Sequence, residues 1–103
     1  MPLAVCDART VGAQDFILAD ARFDRNGTIV HSFESLLLRY SCAHRWFFFS
    51  DMHVNDVLVF KRHDTATGEA HHVPHSAFTD PRVAPEVMPR ASVEMRTIAY
   101  WFG

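Results

Sequence analysis

Short apolar runs broken by turn residues, and one stretch that alternates with period two, give this chain the pattern of strands whose successive side chains point to opposite faces. The clearest case is "SVEMRTIAYWF" at 92–102, where Val93, Met95, Thr97, Ala99 and Trp101 share one face. Glu94, Arg96, Ile98, Tyr100 and Phe102 share the other, and both faces turn apolar towards the end, as in a strand running from the rim of a sandwich into it. The stretch "HRWFFFS" (44–50) predicts a strand with aromatic residues on both sides, Trp46 and Phe48 against Phe47 and Phe49. Such a strand needs cover on both faces. Further strands are predicted at 3–6 ("LAVC"), over 29–40 as one strand or two short ones, at 57–63 ("VLVFKRH") and at 71–75 ("HHVPH"). Residues 13–19 read as a helical turn. "RNGT" (25–28) and "DTATGE" (64–69) are turns, because Asn-Gly and Gly68 tolerate positive φ. The three prolines in 79–89 predict an ordered loop or an irregular crossing. About six strands with little helix predict a mainly β domain of antiparallel strands, a sandwich or an open barrel, spanning 1–103 as one unit.

Composition narrows this picture. A chain of 103 residues with 49% hydrophobic residues is globular and has room for one modest core. A net charge of −2 with scattered Lys and Arg gives no basic patch, so nucleic acid is not an expected partner. No apolar run approaches a membrane span, and the N-terminal residues lack the pattern of a signal peptide, so a cytoplasmic location is expected. Cys6 and Cys42 are then reduced thiols, and neither belongs to a CxxC pair that would suggest zinc.

Seven histidines are many for this length. His53 and His63 lie beside turns, His71 and His72 point to opposite faces of one strand, and His44 reads as a buried, hydrogen-bonded ring. His75 stands apart through its place in the chain order: after it come a loop, then Arg90-x-Ser92, then an apolar strand. A planar guanidinium is suited to holding a carboxylate through two charge-assisted bonds, and a serine two residues on adds a donor on the same face. The order of strand, His, loop, Arg-x-Ser and strand resembles the second half of non-haem iron oxygenases that use 2-oxoglutarate.

Whole phrases carry a more specific resemblance. "PLAVCDART", "LLLRYSCAHRWFFFSDM", "DVLVFKRHDTATG", "PHSAFTDP" and "PRASVEMR" occur in this order. They are similar to the C-terminal half of the asaB-type hydroxylase/desaturase family, which includes a cephamycin methoxylation component and gibberellin desaturase-like proteins. The resemblance covers nearly the whole chain. It implies a partial double-stranded β-helix (jelly-roll) half, and an Fe(II)- and 2-oxoglutarate-dependent reaction on a natural-product intermediate. It implies His75 as an iron ligand and Arg90 with Ser92 as the 2-oxoglutarate clamp. Arg39, Tyr40, His44, Trp46 and Lys61 match family phrases as pocket or structural residues without assigned roles.

Three departures stand out. Ser41-Cys42 replaces an Asn-Pro, and Arg62-His63 replaces a Cys-Tyr; neither touches the implied site. The third is larger: the family's His-x-Asp pair, which supplies the other two iron ligands, has no counterpart here. None of the seven histidines is followed two positions later by Asp or Glu. One expectation is therefore part of a split or dimeric oxygenase, with a complementing half supplying the pair. The alternative is a non-catalytic truncated β-protein that forms a homo-oligomer and binds a small apolar ligand or a partner enzyme. A piece of a longer protein is a further possibility, although Met1 is compatible with an authentic start.

Overall fold

The structure, a computed structural model, describes residues 1–102. Five strands and two short 3₁₀ turns form two separate antiparallel sheets. Their elements are β1 (Leu3–Cys6), β2 (Phe16–Arg25), β3 (Thr28–Leu38), β4 (Trp46–Phe48) and β5 (His75–Ala77), with 3₁₀ turns at Ala8–Thr10 and Ala13–Asp15.

β1 is the centre of the first sheet, in the order β4-β1-β5. Its register sets Ala4 opposite Phe48 and Ser76, and Val5 opposite Phe47 and His75. The ladder continues past the strand ends: Cys6 N–H donates to Pro74 C=O (2.8 Å), Asp7 N–H to Arg45 C=O (2.8 Å) and Phe78 N–H to Pro2 C=O (3.1 Å). Pro74 has no N–H of its own, so it takes part only through its carbonyl at the end of an edge strand. Ala4 and Cys6 are the only buried hydrophobic residues among those described. They are small, which lets Phe48 and Phe78 close over this face edge-to-face, with centroids 5.0 Å apart. The Arg82 guanidinium lies 5.6 Å from the Phe48 ring on the same cluster.

The second sheet is the hairpin β2–β3. Asn26 (φ 53°) and Gly27 (φ 81°) form its turn, as the sequence predicts, and the Asp24 carboxylate accepts from Gly27 N–H (3.1 Å). Two successive positive-φ residues match the twist of the flanking strands, which is why Asn-Gly is favoured here. On one face Phe23 stacks with Phe33 (5.9 Å) and His31 (6.3 Å). On the other, Asp20 faces Glu34, a like-charge pair eased by Arg22 at 3.7 Å from Asp20.

Several expectations are revised here. The helical turn at 13–19 is helical only over Ala13–Asp15; Phe16 onward belongs to β2, a ten-residue strand that the pattern did not reveal. Residues 57–63 and 92–102 are not in strands, and 71–75 contributes only its last residue to β5. The reason is pairing. A strand needs a neighbour to take its ladder bonds, and these segments find almost none: Val73 N–H to Lys61 C=O (2.9 Å) is the single backbone bond joining 57–63 to 71–75. No helix among the described residues is long and apolar enough to cross a membrane.

Candidate functional site

His75 opens β5, opposite Val5. Its Nδ1 lies 3.1 Å from the Val73 carbonyl, and its ring stands 4.6 Å from that of Phe60. A carbonyl can only accept, so Nδ1 carries the proton in this bond. Metal-binding imidazoles are oriented in this way, with one nitrogen donating to a backbone oxygen and the other facing the ion.

Arg90 and Ser92 meet directly: Arg90 Nη1 donates to Ser92 Oγ at 2.8 Å. Arg90 Nε donates to Met1 C=O at 3.1 Å, which ties the guanidinium to the start of the β1 ladder. No carboxylate lies within ion-pairing distance of Arg90 among the described residues. Elsewhere the same spacing is occupied. Asp7 holds Arg9 through two side-chain bonds (2.9 and 2.7 Å), and Asp80 holds Arg82 likewise (2.8 and 2.7 Å). Those arginines lower the carboxyls of Asp7 and Asp80 to about 2, chiefly through the side-chain hydrogen bonds. Arg90 has Met88 at the position where the other two have an aspartate, and it bonds instead to Ser92, two residues on.

His75 and Arg90 attach to opposite ends of one ladder. His75 is level with Val5, whereas Arg90 bonds at Met1, four residues along the chain or about 13 Å of extended backbone. The structure thus unites Arg90 with Ser92 and sets His75 on the same strand pair without direct contact.

Of the pocket candidates, Trp46 lines a largely apolar cavity of about 300 Å³ with Ala4, Phe47, Phe48, Ser76 and Phe78. His44 is only 2% exposed at its side chain and its Nε2 lies 2.9 Å from Asp15 Oδ2. That bond, followed by one from Gly12 N–H (2.9 Å), lowers the Asp15 carboxyl below its ordinary range. The pair joins the loop before β4 to the turn before β2, so it acts as a fastener. Arg39 N–H adds a bond to Asp15 C=O at 2.7 Å, and Tyr40 is exposed. Lys61 pairs with Asp64 and lowers its carboxyl. Sequence reading missed Asp15 as the partner of His44, 29 positions away, where no local pattern signals it. It also missed the repeated Asp-x-Arg pairs, which three occurrences of that spacing, at 7/9, 20/22 and 80/82, could have revealed.

The described residues contain no cluster of three His, Cys, Asp or Glu side chains able to hold a metal ion. Towards an iron and 2-oxoglutarate site they offer one imidazole, that of His75, and one guanidinium–hydroxyl pair, Arg90 with Ser92.

A family model described as an oxidoreductase/YMDC permease-like domain matches residues 1–100. The chain is 32% identical over 110 residues to the hydroxylase/desaturase asaB of Aspergillus flavus, covering 97% of this chain and 48% of that protein. It is 33% identical to the hydroxylase/desaturase efuI of Hormonema carpetanum, covering 97% of this chain and 36% of the relative. An Fe(II)/2-oxoglutarate-dependent dioxygenase, nvfI of Aspergillus novofumigatus, is 26% identical over 96% of this chain and 34% of its own length. The chain therefore spans between a third and a half of the length of these curated relatives. No solved structure matches it.

Proposed function

The chain belongs to the oxidoreductase family of asaB-type hydroxylase/desaturases, and from that premise we propose that it forms the co-substrate-binding part of an Fe(II)- and 2-oxoglutarate-dependent oxygenase acting on a natural-product intermediate. The reading rests above all on the Arg90–Ser92 pair, a guanidinium bonded to a hydroxyl with no internal carboxylate to neutralise it. Its remaining N–H groups and the Ser92 hydroxyl proton suit the far carboxylate of 2-oxoglutarate. His75 would hold iron through Nε2, with Nδ1 fixed on Val73. Iron(II), when bound, supplies the oxygen-activating redox chemistry that side chains lack. The chain's own residues orient the co-substrate and offer, beside Trp46, an apolar cavity for part of an organic substrate. The other two iron ligands, a His-x-Asp pair, come from polypeptide outside these residues.

Calorimetric titration tests this reading. 2-Oxoglutarate binds the wild-type protein once the His-x-Asp polypeptide is supplied, and Arg90→Ala weakens it about 100-fold, the loss of charge-assisted bonds worth roughly 2.7 kcal/mol. Equal binding by wild type and Arg90→Ala would reject the assignment. His75→Ala abolishes iron uptake and leaves the 2-oxoglutarate clamp in place.

A further inference from the structure

We propose that β2 is a dimerisation edge: two copies of this chain pair their β2 strands antiparallel about a two-fold axis at Ala21, which joins the two hairpins into one four-stranded sheet in the order β3-β2-β2-β3. The inference is independent of the oxygenase reading and rests on the hairpin alone.

The β2–β3 sheet has two strands and therefore two free edges. Among the described residues, β2 pairs with β3 and no backbone bond joins it to any other segment. Residues 17–25 contain neither Pro nor Gly, so each has a backbone donor and acceptor. Those that point away from β3 have no partner. A row of unpaired groups of this kind is a template for strand addition.

Charge complementarity selects a second copy as the partner, and it selects the register. In a two-fold antiparallel pair the residue on the axis faces itself, and its neighbours face each other across it. With the axis at Ala21, Asp20 faces Arg22 of the second copy, and this pair occurs twice. An axis at Asp20 sets that aspartate against itself. An axis at Arg22 sets Arg22 against itself and Asp20 against Asp24, and like charges directly opposite are destabilising. An axis at Ala19 sets Asp20 against Leu18 and Arg22 against Phe16. An axis at Phe23 does oppose Arg22 to Asp24, but it joins only residues 21–25, whereas the axis at Ala21 joins 17–25. On the other face Ala19 meets Phe23 of the second copy, a small side chain under a ring that is 55% exposed in the single chain.

Within one chain Asp20 is poorly compensated. It faces Glu34 on β3, and its own Arg22 lies 3.7 Å away with both side chains 63% exposed, so water screens that pair. Pairing about Ala21 brings a cation to the side of Asp20 that β3 leaves open. The other free edge, β3, is the poorer one. Phe23 faces His31 and Asp24 faces Ile29, so Val30 is an extra, bulged residue. The bulge turns Ile29 and Thr28 to the opposite face. A two-fold pairing of β3 about its midpoint, Phe33, would therefore keep faces matched only over residues 31–35.

Sedimentation equilibrium of the protein over a concentration series is expected to show a monomer–dimer equilibrium. Asp20→Arg and Arg22→Asp, both at exposed positions, each turn two attractive pairs into repulsive ones and weaken self-association about 30-fold. Mixed one to one, the two variants recover the wild-type affinity as a heterodimer, because one chain then carries both bases and the other both acids. A general loss of folding is not repaired by mixing. In a Cys42→Ser background, Ala21→Cys is expected to form an intermolecular disulfide with oxidised glutathione, since facing residues of an antiparallel pair lie about 4.5–5.5 Å apart at Cα, within disulfide reach. The proposal is overturned by a monomer at every concentration, by single variants that associate as tightly as wild type, or by a mixture no tighter than either variant alone. Cross-linking by Phe33→Cys in that background without cross-linking by Ala21→Cys would overturn it in favour of the β3 edge.

Discussion

At the scale of single residues, carboxylates in this chain are governed by whichever donor sits two or more positions away. Asp7 and Asp80 each grip the arginine two residues on, and each titrates at about 2. In an NMR titration both remain ionised at pH 3, where an ordinary aspartate near 3.9 is mostly protonated. Arg9→Ala moves Asp7 back towards that ordinary value. Asp15 is lowered first by His44 and then by Gly12 N–H. A carboxyl whose folded value lies below its unfolded one stabilises the fold above the unfolded value, and that stabilisation is lost as pH falls through the folded value. Asp15→Asn therefore flattens the acid limb of the unfolding curve measured by circular dichroism below about pH 4. The unpaired Arg90 is the counterexample to the Asp-x-Arg pattern. Arg90→Lys tests geometry apart from charge, because a lysine keeps the charge and loses the planar fork. It should weaken 2-oxoglutarate by about tenfold, less than alanine does.

At the scale of elements, the β2–β3 hairpin carries its own instructions. Gly27 at φ 81° sits where a Cβ is strained but unobstructed, with nothing near enough to clash. Gly27→Ala should cost about 1 kcal/mol, read from the denaturation midpoint of the protein. Glu34→Lys converts the Asp20–Glu34 opposition into an attractive cross-strand pair and should stabilise by about 0.5 kcal/mol in the same measurement. The three-stranded sheet behaves otherwise. β4 and β5 are three residues each, and they persist because both lie against β1 and close aromatic rings over Ala4 and Cys6. The stretch 57–63 opens with four apolar residues in a row, Val57 to Phe60, yet it has no neighbouring strand and stays irregular. Element identity at those positions is decided by the neighbour and not by propensity.

At the scale of the whole molecule, two small sheets share little common core. Among the described residues only Ala4 and Cys6 are buried hydrophobics, which leaves apolar surface to which an apolar dye should bind, as fluorescence titration would show. What the sequence determined alone was local and chemical: the Asn-Gly turn, the positive φ of Gly68, the irregular crossing through three prolines, the mainly β class and the family phrases. Each depends on the conformations open to one or two residues, or on residue order along the chain. What only the tertiary structure decided was pairing: β2 as the partner of β3, Asp15 as the partner of His44, Arg90 bonded to Ser92 and to Met1, and 92–102 left without a neighbour. Hydrogen bonds between segments tens of residues apart depend on where the chain returns in space, and one-dimensional periodicity holds no record of that return.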